Sequence, residues 1–308
     1  MTTTSCPRRR HGAIALGTLV LTGCFGVTAC VLAVAAVAVG VRYGSPWQAA
    51  MDWPHSARIK SAAISESSGL VASRRHPGVF WTHNDSGNSP AIFAIKADGT
   101  VLGRYRIKGA KNVDWEDIAI DDAGHLYIGD VGDNFGRHKS RTIYKIVEPD
   151  PTVERKSTVK VLEAMHFRYK DQRPDCEALF FHKGRPYIIT KHFLGWATLF
   201  RVGDPIGGVC PLEAICKLPA TAVTAADISA DGKRLAVLGY GYLAVFDVGE
   251  DLADLAKTVP KRVTFPAKYQ TEACAFDGDD VLITAESREI WRVTAEDIEK
   301  QRVLSVGD

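Results

Sequence analysis

Five segments of this chain repeat one short pattern, and this repetition limits the accessible folds more than any other feature. In each segment an acidic residue opens an apolar stretch, a turn follows, and a second apolar stretch returns. Residues 114–130 show the pattern most fully, with a turn at residues 121–124. Apolar runs on either side of such turns predict antiparallel β-hairpins. The five acidic residues are Glu66, Glu116, Glu177, Asp227 and Glu272.

The spacing of these repeats predicts the architecture. The acidic residues lie 50, 61, 50 and 45 residues apart, and four short strands fit into each interval. Repeats of about 40–50 residues with four strands each are typical of β-propellers. We therefore predict an all-β fold, a five-bladed β-propeller over residues 57–308, with six blades as the second choice. The last repeat lacks an outer strand, which residues 57–60 would supply.

The first 42 residues differ from the rest. Three arginines at positions 8–10 precede an uncharged, mostly apolar run over residues 12–41. This run exceeds the roughly 20 residues that a membrane-spanning helix needs. We predict a cytoplasmic basic tail (1–11), one transmembrane helix (12–41), a linker (42–56) and an extracytoplasmic propeller, because basic residues stay on the cytoplasmic side. The alternative is a lipoprotein that is cleaved before Cys24 or Cys30.

The charge of the remaining chain argues against a nucleic-acid partner. Residues 43–308 hold 34 basic and 36 acidic side chains, so the domain is close to neutral. No basic stripe interleaved with aromatic residues is present in the sequence. The expected partners are therefore the membrane, through the N-terminal helix, and a small-molecule or envelope ligand.

The cysteines give little support for a metal or redox motif. The sequence has no C-x-x-C pair and no cysteine–histidine spacing of the kind that binds zinc. Cys210 and Cys216 flank a turn, where a disulfide and two free thiols are both compatible with the spacing. Cys176 and Cys274 fall in first strands, and we interpret them as small core residues.

The repeated acidic residues suggest a metal site. In a propeller the first strand of each blade lines the central channel, so these carboxylates should converge at one mouth. Converging carboxylates raise one another's pKa unless a cation neutralises them. Oxygen ligands in a wide ring favour Ca²⁺. We predict one Ca²⁺ held by Glu66, Glu116, Asp130, Glu177, Asp227 and Glu272; the alternative is that the acidic residues cap turns or pair with neighbouring blades.

Polar residues at the ends of the second strands and in one loop complete the predicted site. A phosphate or carboxylate ligand would be bound by Asn84, Asp85, Asp133, Asn134, Arg137, Arg141 and Lys191. His83 and His192 are candidate general bases, because each stands at the end of a second strand.

Three motifs carry a family resemblance. Residues 81–87, 114–119 and 126–134 (WTHNDSG, DWEDIA and LYIGDVGDN) resemble a group of bacterial β-propeller proteins. More distantly, the DWEDIA motif with its downstream aspartate is similar to phytase-like and esterase-like propellers. That resemblance implies a calcium ion and a phosphate- or ester-bearing substrate at the channel mouth.

Two functions follow from these predictions. The first is a membrane-anchored extracytoplasmic propeller that binds a ligand or acts as a scaffold, with a structural calcium ion. The second is a calcium-dependent hydrolase of phosphoesters, esters or lactones at the same mouth. The chain contains no G-x-S-x-G, H-E-x-x-H or P-loop motif, which argues against serine-nucleophile and nucleotide chemistry.

Overall fold

The computed structural model describes residues 55–134, 136–138, 140–153, 155–170 and 174–304. These residues belong to one compact unit, and they are almost entirely β-strands joined by short turns. The strands are β1 (Ala57–Arg58), β2 (Ser67–Ala72), β3 (Phe80–Asn84), β4 (Ala91–Ile95), β5 (Val101–Lys108), β6 (Trp115–Ile120), β7 (His125–Asp130), β8 (Arg141–Val147), β9 (Lys156–Phe167), β10 (Cys176–His182), β11 (Arg185–Thr190), β12 (Ala197–Val202), β13 (Leu212–Leu218), β14 (Val223–Ile228), β15 (Arg234–Gly239), β16 (Tyr242–Asp247), β17 (Lys261–Thr264), β18 (Thr271–Asp277), β19 (Asp280–Ala285) and β20 (Glu289–Val293).

Helices are few and short in the described chain. Two 3₁₀ turns cover Leu252–Ala256 and Ala267–Tyr269, and α1 spans Ala295–Lys300. The side chain of Thr294 caps α1 by accepting a hydrogen bond from the Asp297 amide, and Asp297 bonds back to the Thr294 amide. This capping box explains why so short a helix begins at that residue.

The strands form successive antiparallel units. Unit 1 is β2–β5, unit 2 is β6–β9, unit 3 is β10–β13, unit 4 is β14–β17, and unit 5 is β18–β20 completed by β1. Strands β5 and β9 pair in parallel, which joins units 1 and 2 into one sheet of eight strands. Ala57 pairs with Ile290, so the start of the domain supplies the outer strand of the last unit as the sequence predicts.

The first strands of the units surround a central axis. Strand β2 packs against β6, β6 against β10, β10 against β14, β14 against β18, and β18 again against β2. Five apolar clusters fill the spaces between successive units, and the largest buried side chains are Trp81, Trp115 and Trp291. Each fully buried aliphatic or Phe side chain contributes about 1.5–3 kcal/mol. The fold is therefore of the β-propeller type, with its core between the sheets.

The cysteines of the domain are reduced. Cys176, Cys210, Cys216 and Cys274 are all free thiols, so the structure contains no Cys210–Cys216 disulfide. Cys176 and Cys274 are fully buried in the apolar clusters, as expected for small core residues.

The predicted membrane anchor lies outside the residues that the structure describes. Residues 1–54 are outside the described range, and they include the predicted helix over 12–41 and the alternative lipid-attachment residues Cys24 and Cys30. Among residues 55–304, leaving aside the short gaps, no helix has the length and apolar character required to cross a bilayer.

Candidate metal centre

A β-bulge near the start of each first strand positions the side chains at one end of the channel, which we call the mouth. The bulges shift the pairing register by one residue, so the bulged residue lies opposite none on the second strand. The bulged residues of units 2, 3 and 5 are Glu116, Glu177 and Glu272. In unit 4 the bulged residue is Thr224, and in unit 1 the bulge contains Ser68 and Gly69.

The acidic pattern is therefore not repeated in every unit. The hydroxyls of Ser68 and Thr224 each donate to a backbone carbonyl of the next unit, at Glu116 (2.9 Å) and Thr271 (2.9 Å). At these two positions the hydroxyl group links adjacent first strands by donating to a carbonyl oxygen. A carboxylate could not replace it, because a carboxylate has no proton to donate to that oxygen. At the bulge itself, units 2, 3 and 5 thus carry a glutamate, whereas units 1 and 4 carry a hydroxyl residue.

Two groups of carboxylates meet at this mouth. The ligand oxygens of Asp85, Asp114 and Glu116 all lie within 4.8 Å of one another, and so do those of Glu116, Asp175 and Glu177. Glu116 belongs to both groups. We call these five residues the acidic cluster. Such buried clusters of carboxylates are able to hold a metal ion.

Glu116 is the central member of the acidic cluster. The residue is only 5% exposed, and none of the described residues donates a hydrogen bond to its carboxylate. Burial raises the pKa of Glu116 well above its ordinary value, and the carboxylates of Glu177 and Asp85 raise it further. A buried carboxylate without a donor is costly. A cation beside it would remove that cost.

Gly132 leaves the space that the Glu116 carboxylate occupies. A Cβ atom at this position would lie 2.0 Å from Glu116 Oε1 and 2.7 Å from Asp114 Oδ2. Any larger residue would therefore displace both carboxylates. The Gly132 amide also donates to the backbone carbonyl of Asp114 (3.2 Å), which fixes the loop against the start of β6.

Asp130 and Asp133 hold the loops that carry the acidic cluster. Asp130 Oδ1 accepts hydrogen bonds from the amides of Val113 (3.3 Å) and Asp114 (2.7 Å). The Asp133 amide donates to Asp175 Oδ1 (2.9 Å), which links units 2 and 3. Asp130 thus acts on the cluster through the backbone and is absent from both groups of ligand oxygens.

Lys191 and Tyr240 lie on the other side of the mouth. Lys191 Nζ is 3.0 Å from Glu177 Oε1 and 3.2 Å from the Tyr240 hydroxyl, which in turn donates to Glu272 Oε1 (3.0 Å). Burial alone would lower the pKa of Lys191, but Glu177 and Tyr240 hold it above its ordinary value. Burial raises the pKa of Glu272 to about 8, although Lys191 opposes this rise.

Glu66 and Asp227 occupy other positions than the acidic cluster. Glu66 Oε2 accepts from the Asn88 side chain (3.1 Å). Asp227 accepts from the amides of Ile228 (2.9 Å) and Phe276 (2.8 Å), so it ties unit 4 to unit 5. Burial raises the pKa of Asp227 to about 6, and Arg74 opposes the rise. The six predicted metal ligands therefore do not all converge; the structure brings Glu116 and Glu177 together.

Asp117 is a second structural carboxylate, and it contacts three units. Its Oδ1 accepts from its neighbour Ile118 (2.8 Å), and its Oδ2 accepts from Leu179 in β10 (2.8 Å) and Ala226 in β14 (3.1 Å). The residue is fully buried. Burial raises its pKa well above the ordinary value, and the three amides oppose that rise. Asp117 thus holds three first strands together across the channel.

Several of the predicted ligand-binding residues are engaged in structural contacts. The Asn84 side chain accepts from the amides of Ser65 and Glu66 and donates to the Ala63 carbonyl. Arg141 and Asp133 form a buried ion pair of 2.6 Å. Two other members of that predicted set lie at the mouth: Asp85 belongs to the acidic cluster, and Lys191 lies beside Glu177. Asn134 is exposed, and the amide of Arg137 donates to Asp133 (2.6 Å).

The two candidate bases differ in accessibility. His83 is fully buried against Trp115, and burial lowers its pKa to about 4. Solvent therefore does not reach this imidazole. His192 is partly exposed and lines a cavity next to unit 3. Burial, followed by the charge of Lys217, lowers the pKa of His192, and the charge of Asp175 opposes this.

Sequence reasoning missed Asp114 and Asp175 as members of the site. Both precede a bulge glutamate by two residues, in the segments Asp114-Trp115-Glu116 and Asp175-Cys176-Glu177. A shared Asp-x-Glu spacing was the available signal. In each segment the aspartate comes just before the first strand and the glutamate is the bulged residue of that strand, and their carboxylates reach the same group.

Comparisons with known proteins define the fold but no family. No family model matches the chain, and no curated protein matches it in sequence. The crystal structure of the major Malassezia sympodialis allergen Mala s 1 aligns over 79% of this chain and 96% of its own, with 11% identity and a TM-score of 0.52. At that identity the likeness extends to the overall fold alone.

Two further solved structures align with lower scores. The PQQ-bound form of aldose sugar dehydrogenase from Streptomyces coelicolor has a TM-score of 0.44 and 11% identity, covering 79% of this chain and 81% of that one. A luciferin-regenerating enzyme has a TM-score of 0.40 and 14% identity, covering 74% and 77%. These two alignments carry no argument about this chain, and its chemistry has to be argued from its own residues.

Proposed function

We propose that this protein is a membrane-anchored, extracytoplasmic β-propeller of five blades that binds one Ca²⁺ at the acidic cluster and presents the mouth to a ligand. The observation that carries the proposal is Glu116. Its buried carboxylate has no donor among the described residues and is shared by both groups of ligand oxygens. An unpaired buried carboxylate among like charges calls for a cation.

The donor set favours calcium. Both groups consist of carboxylate oxygens without cysteine or histidine, which selects a hard cation over zinc or copper. Calcium takes about 6–8 oxygens at roughly 2.3–2.6 Å, so two of its ligands can be as far as about 5 Å apart. Magnesium binds at about 2.0–2.1 Å and needs a tighter octahedron. The two groups together offer up to five carboxylates, and this number of oxygen ligands suits the larger ion.

The blade number and the anchor are parts of the same proposal. Each of the units 1–5 contributes one first strand to the closed ring, which supports five blades. The uncharged run over residues 12–41 supports a single membrane-spanning helix. Arginines at positions 8–10 support a cytoplasmic N-terminus, with the propeller on the opposite side of the membrane.

The ion would give the mouth its ligand preference. A bound Ca²⁺ with a free coordination position attracts a carboxylate or phosphate oxygen. Lys191, whose ammonium group is 3.0 Å from Glu177 Oε1, would lie beside that position and donate to the same anion. A small anionic molecule or an acidic group of the cell envelope is the ligand class that fits. In this proposal the protein binds and orients its ligand.

The direct test is calcium binding by the soluble domain, residues 52–308, measured by calorimetry and by thermal unfolding. Calcium at about 100 times its Kd should stabilise the fold by about 2.7 kcal/mol, because it binds only the native state. Glu116→Gln should abolish this gain while the domain stays folded. Gly132→Ala should weaken calcium binding, since the added methyl group displaces Glu116 and Asp114.

Matched controls isolate the site in this experiment. Glu250→Gln removes an exposed carboxylate, and Gly249→Ala adds a methyl group where no atom lies within 4 Å. Both should leave calcium binding unchanged. Calcium binding that persists in Glu116→Gln, or an absence of calcium binding in the unaltered domain, would refute the proposed site.

A calcium-dependent hydrolase is the second candidate function. It is favoured by the proximity of His192 to Asp175, whose charge acts on the imidazole, because a histidine near a metal site can transfer protons. Turnover of phosphoesters, esters or lactones that requires calcium and is lost in His192→Ala would establish it. A folded, calcium-bound domain without turnover on all three substrate classes would leave the binding function.

A further inference from the structure

A pocket lies beside unit 3, and its lining contains no member of the acidic cluster. Its volume is about 770 Å³, within the roughly 300–1,000 Å³ range of small-molecule sites. The segment that follows β9, residues 168–170, forms one side, and strands β12 and β13 form the other. A parallel bridge between Phe167 and Cys210 brings these two sides together.

The charged side chains that line this pocket are all basic. They are Arg168, Lys170 and Lys217, and the described lining contains no Asp or Glu. Lys217 Nζ is fixed by a hydrogen bond to Thr198 Oγ1 (2.7 Å). Within the described chain, no carboxylate pairs with Arg168 or Lys170. Three positive charges that no described carboxylate pairs with would therefore attract an anion.

The remaining wall is apolar. Tyr169 and Phe200 meet edge to face, with ring centroids 5.5 Å apart. Val209 and Leu212 extend the same wall, and Ile206, which is 77% exposed, stands at its rim. An exposed aliphatic side chain and a concave aromatic wall together form an apolar surface. Covering this surface with an apolar group lowers the free energy.

Polar groups lie at the inner end of the pocket. Thr190 Oγ1 accepts from the Thr198 amide (2.9 Å), which leaves its hydroxyl proton to donate. His192 adds a ring nitrogen. These groups are hydrogen-bond partners that can orient the head of a ligand without adding negative charge.

We propose that this pocket binds an anionic amphiphile, a small molecule with an aromatic or aliphatic body and one sulfonate, carboxylate or phosphate group. The body would lie on Tyr169 and Phe200, and the anionic group would lie at Lys217 and Arg168. None of the residues that line this pocket belongs to the acidic cluster, although the charge of Asp175 acts on His192, and the charged side chains of the lining have the opposite sign. Ligand binding here does not depend on calcium.

The test uses two dyes that share one aromatic body. The anionic probe is 8-anilinonaphthalene-1-sulfonate, and the neutral one is N-phenyl-1-naphthylamine. Both are titrated by fluorescence into the domain over residues 52–308 in EDTA. The sulfonate should bind at least about tenfold more tightly, because only it has a charge to pair with the lysines, and its advantage should fall with added salt.

Two variants locate the binding. Lys217→Gln should weaken sulfonate binding by about fivefold or more and leave the neutral dye unchanged. Ala214→Trp should block both dyes, because Ala214 is an exposed residue that lines the pocket on β13. The matched control is Lys257→Gln, which removes an exposed lysine outside the pocket.

Three results would overturn the proposal. They are equal affinity for the two dyes, sulfonate binding that Ala214→Trp does not reduce, and an equal loss in Lys217→Gln and Lys257→Gln. Because the titration is done in EDTA, its outcome is independent of calcium binding at Glu116. A failure of this pocket is thereby distinguished from a failure of the metal proposal.

Discussion

Replacing Asp117 by alanine is expected to lower the free energy of unfolding by about 3–5 kcal/mol, since each buried amide left without an acceptor costs about 1–3 kcal/mol. The three amides belong to Ile118, Leu179 and Ala226, at distances of 2.8, 2.8 and 3.1 Å from the carboxylate. They lie in units 2, 3 and 4, so one substitution weakens the packing of three first strands. Urea unfolding of the domain measures the effect.

Two further variants define the cause of that loss. Asp117→Asn keeps one acceptor oxygen and turns an NH₂ group toward an amide that needs an acceptor, so its loss should lie between those of alanine and the native residue. Asp122→Asn changes an exposed aspartate of the nearby turn and should be neutral within about 0.5 kcal/mol. Equal stability of Asp117→Ala and Asp122→Asn would contradict this role of Asp117.

In EDTA the stability of the domain is expected to fall as pH rises from about 4 to about 8. Burial raises the pKa to about 6 for Asp227, about 7 for Asp114 and about 8 for Glu272. Unfolded carboxyls titrate near about 4, so in this window the folded state binds more protons than the unfolded state. Stability is therefore highest below the unfolded pKa and is lost as pH passes each folded pKa. Each pKa unit corresponds to about 1.4 kcal/mol per group.

Calcium should restore the stability that the domain loses at the upper end of this pH range. The ion competes with protons for the carboxylates, so its affinity should increase with pH and excess calcium should restore stability near pH 8. Chemical unfolding at a series of pH values, with EDTA or calcium, tests both statements. Asp227→Asn should reduce the pH dependence of stability only between about pH 4 and 6. It should leave calcium binding intact, because Asp227 lies outside the acidic cluster. Stability in EDTA that rises between pH 5 and 8 would contradict the argument.

Local patterns predicted most of the fold. The hairpin signals at residues 114–130 correspond to β6 and β7, and the equivalent segments correspond to the first two strands of the other units. Apolar runs, glycine-containing turns and repeat spacing are properties of adjacent residues, so the sequence states them directly. The pairing of Ala57 with Ile290 was predictable for another reason: the last repeat was one strand short, and only the start of the domain was left to supply it.

The composition of the acidic cluster depends on the positions of the β-bulges, which local sequence patterns do not reveal. Glu66, Glu116 and Asp227 look equivalent in the repeats, yet the bulges assign the mouth position to Glu116 and give Thr224 the corresponding place in unit 4. A register shift of one residue reverses the direction of a side chain on a strand. Asp227 therefore ties two units together, whereas Glu116 enters the acidic cluster.

Repeated antiparallel hairpins with acidic residues near the start of their first strands follow from local patterns in this chain. Which carboxylates share a site follows from the packing of distant segments. Asp85, Asp114 and Asp175 come from segments that follow or precede strands of three different units. Their oxygens approach Glu116 because the closed ring brings those loops to one mouth. Contacts between distant segments depend on packing geometry, which no local pattern specifies.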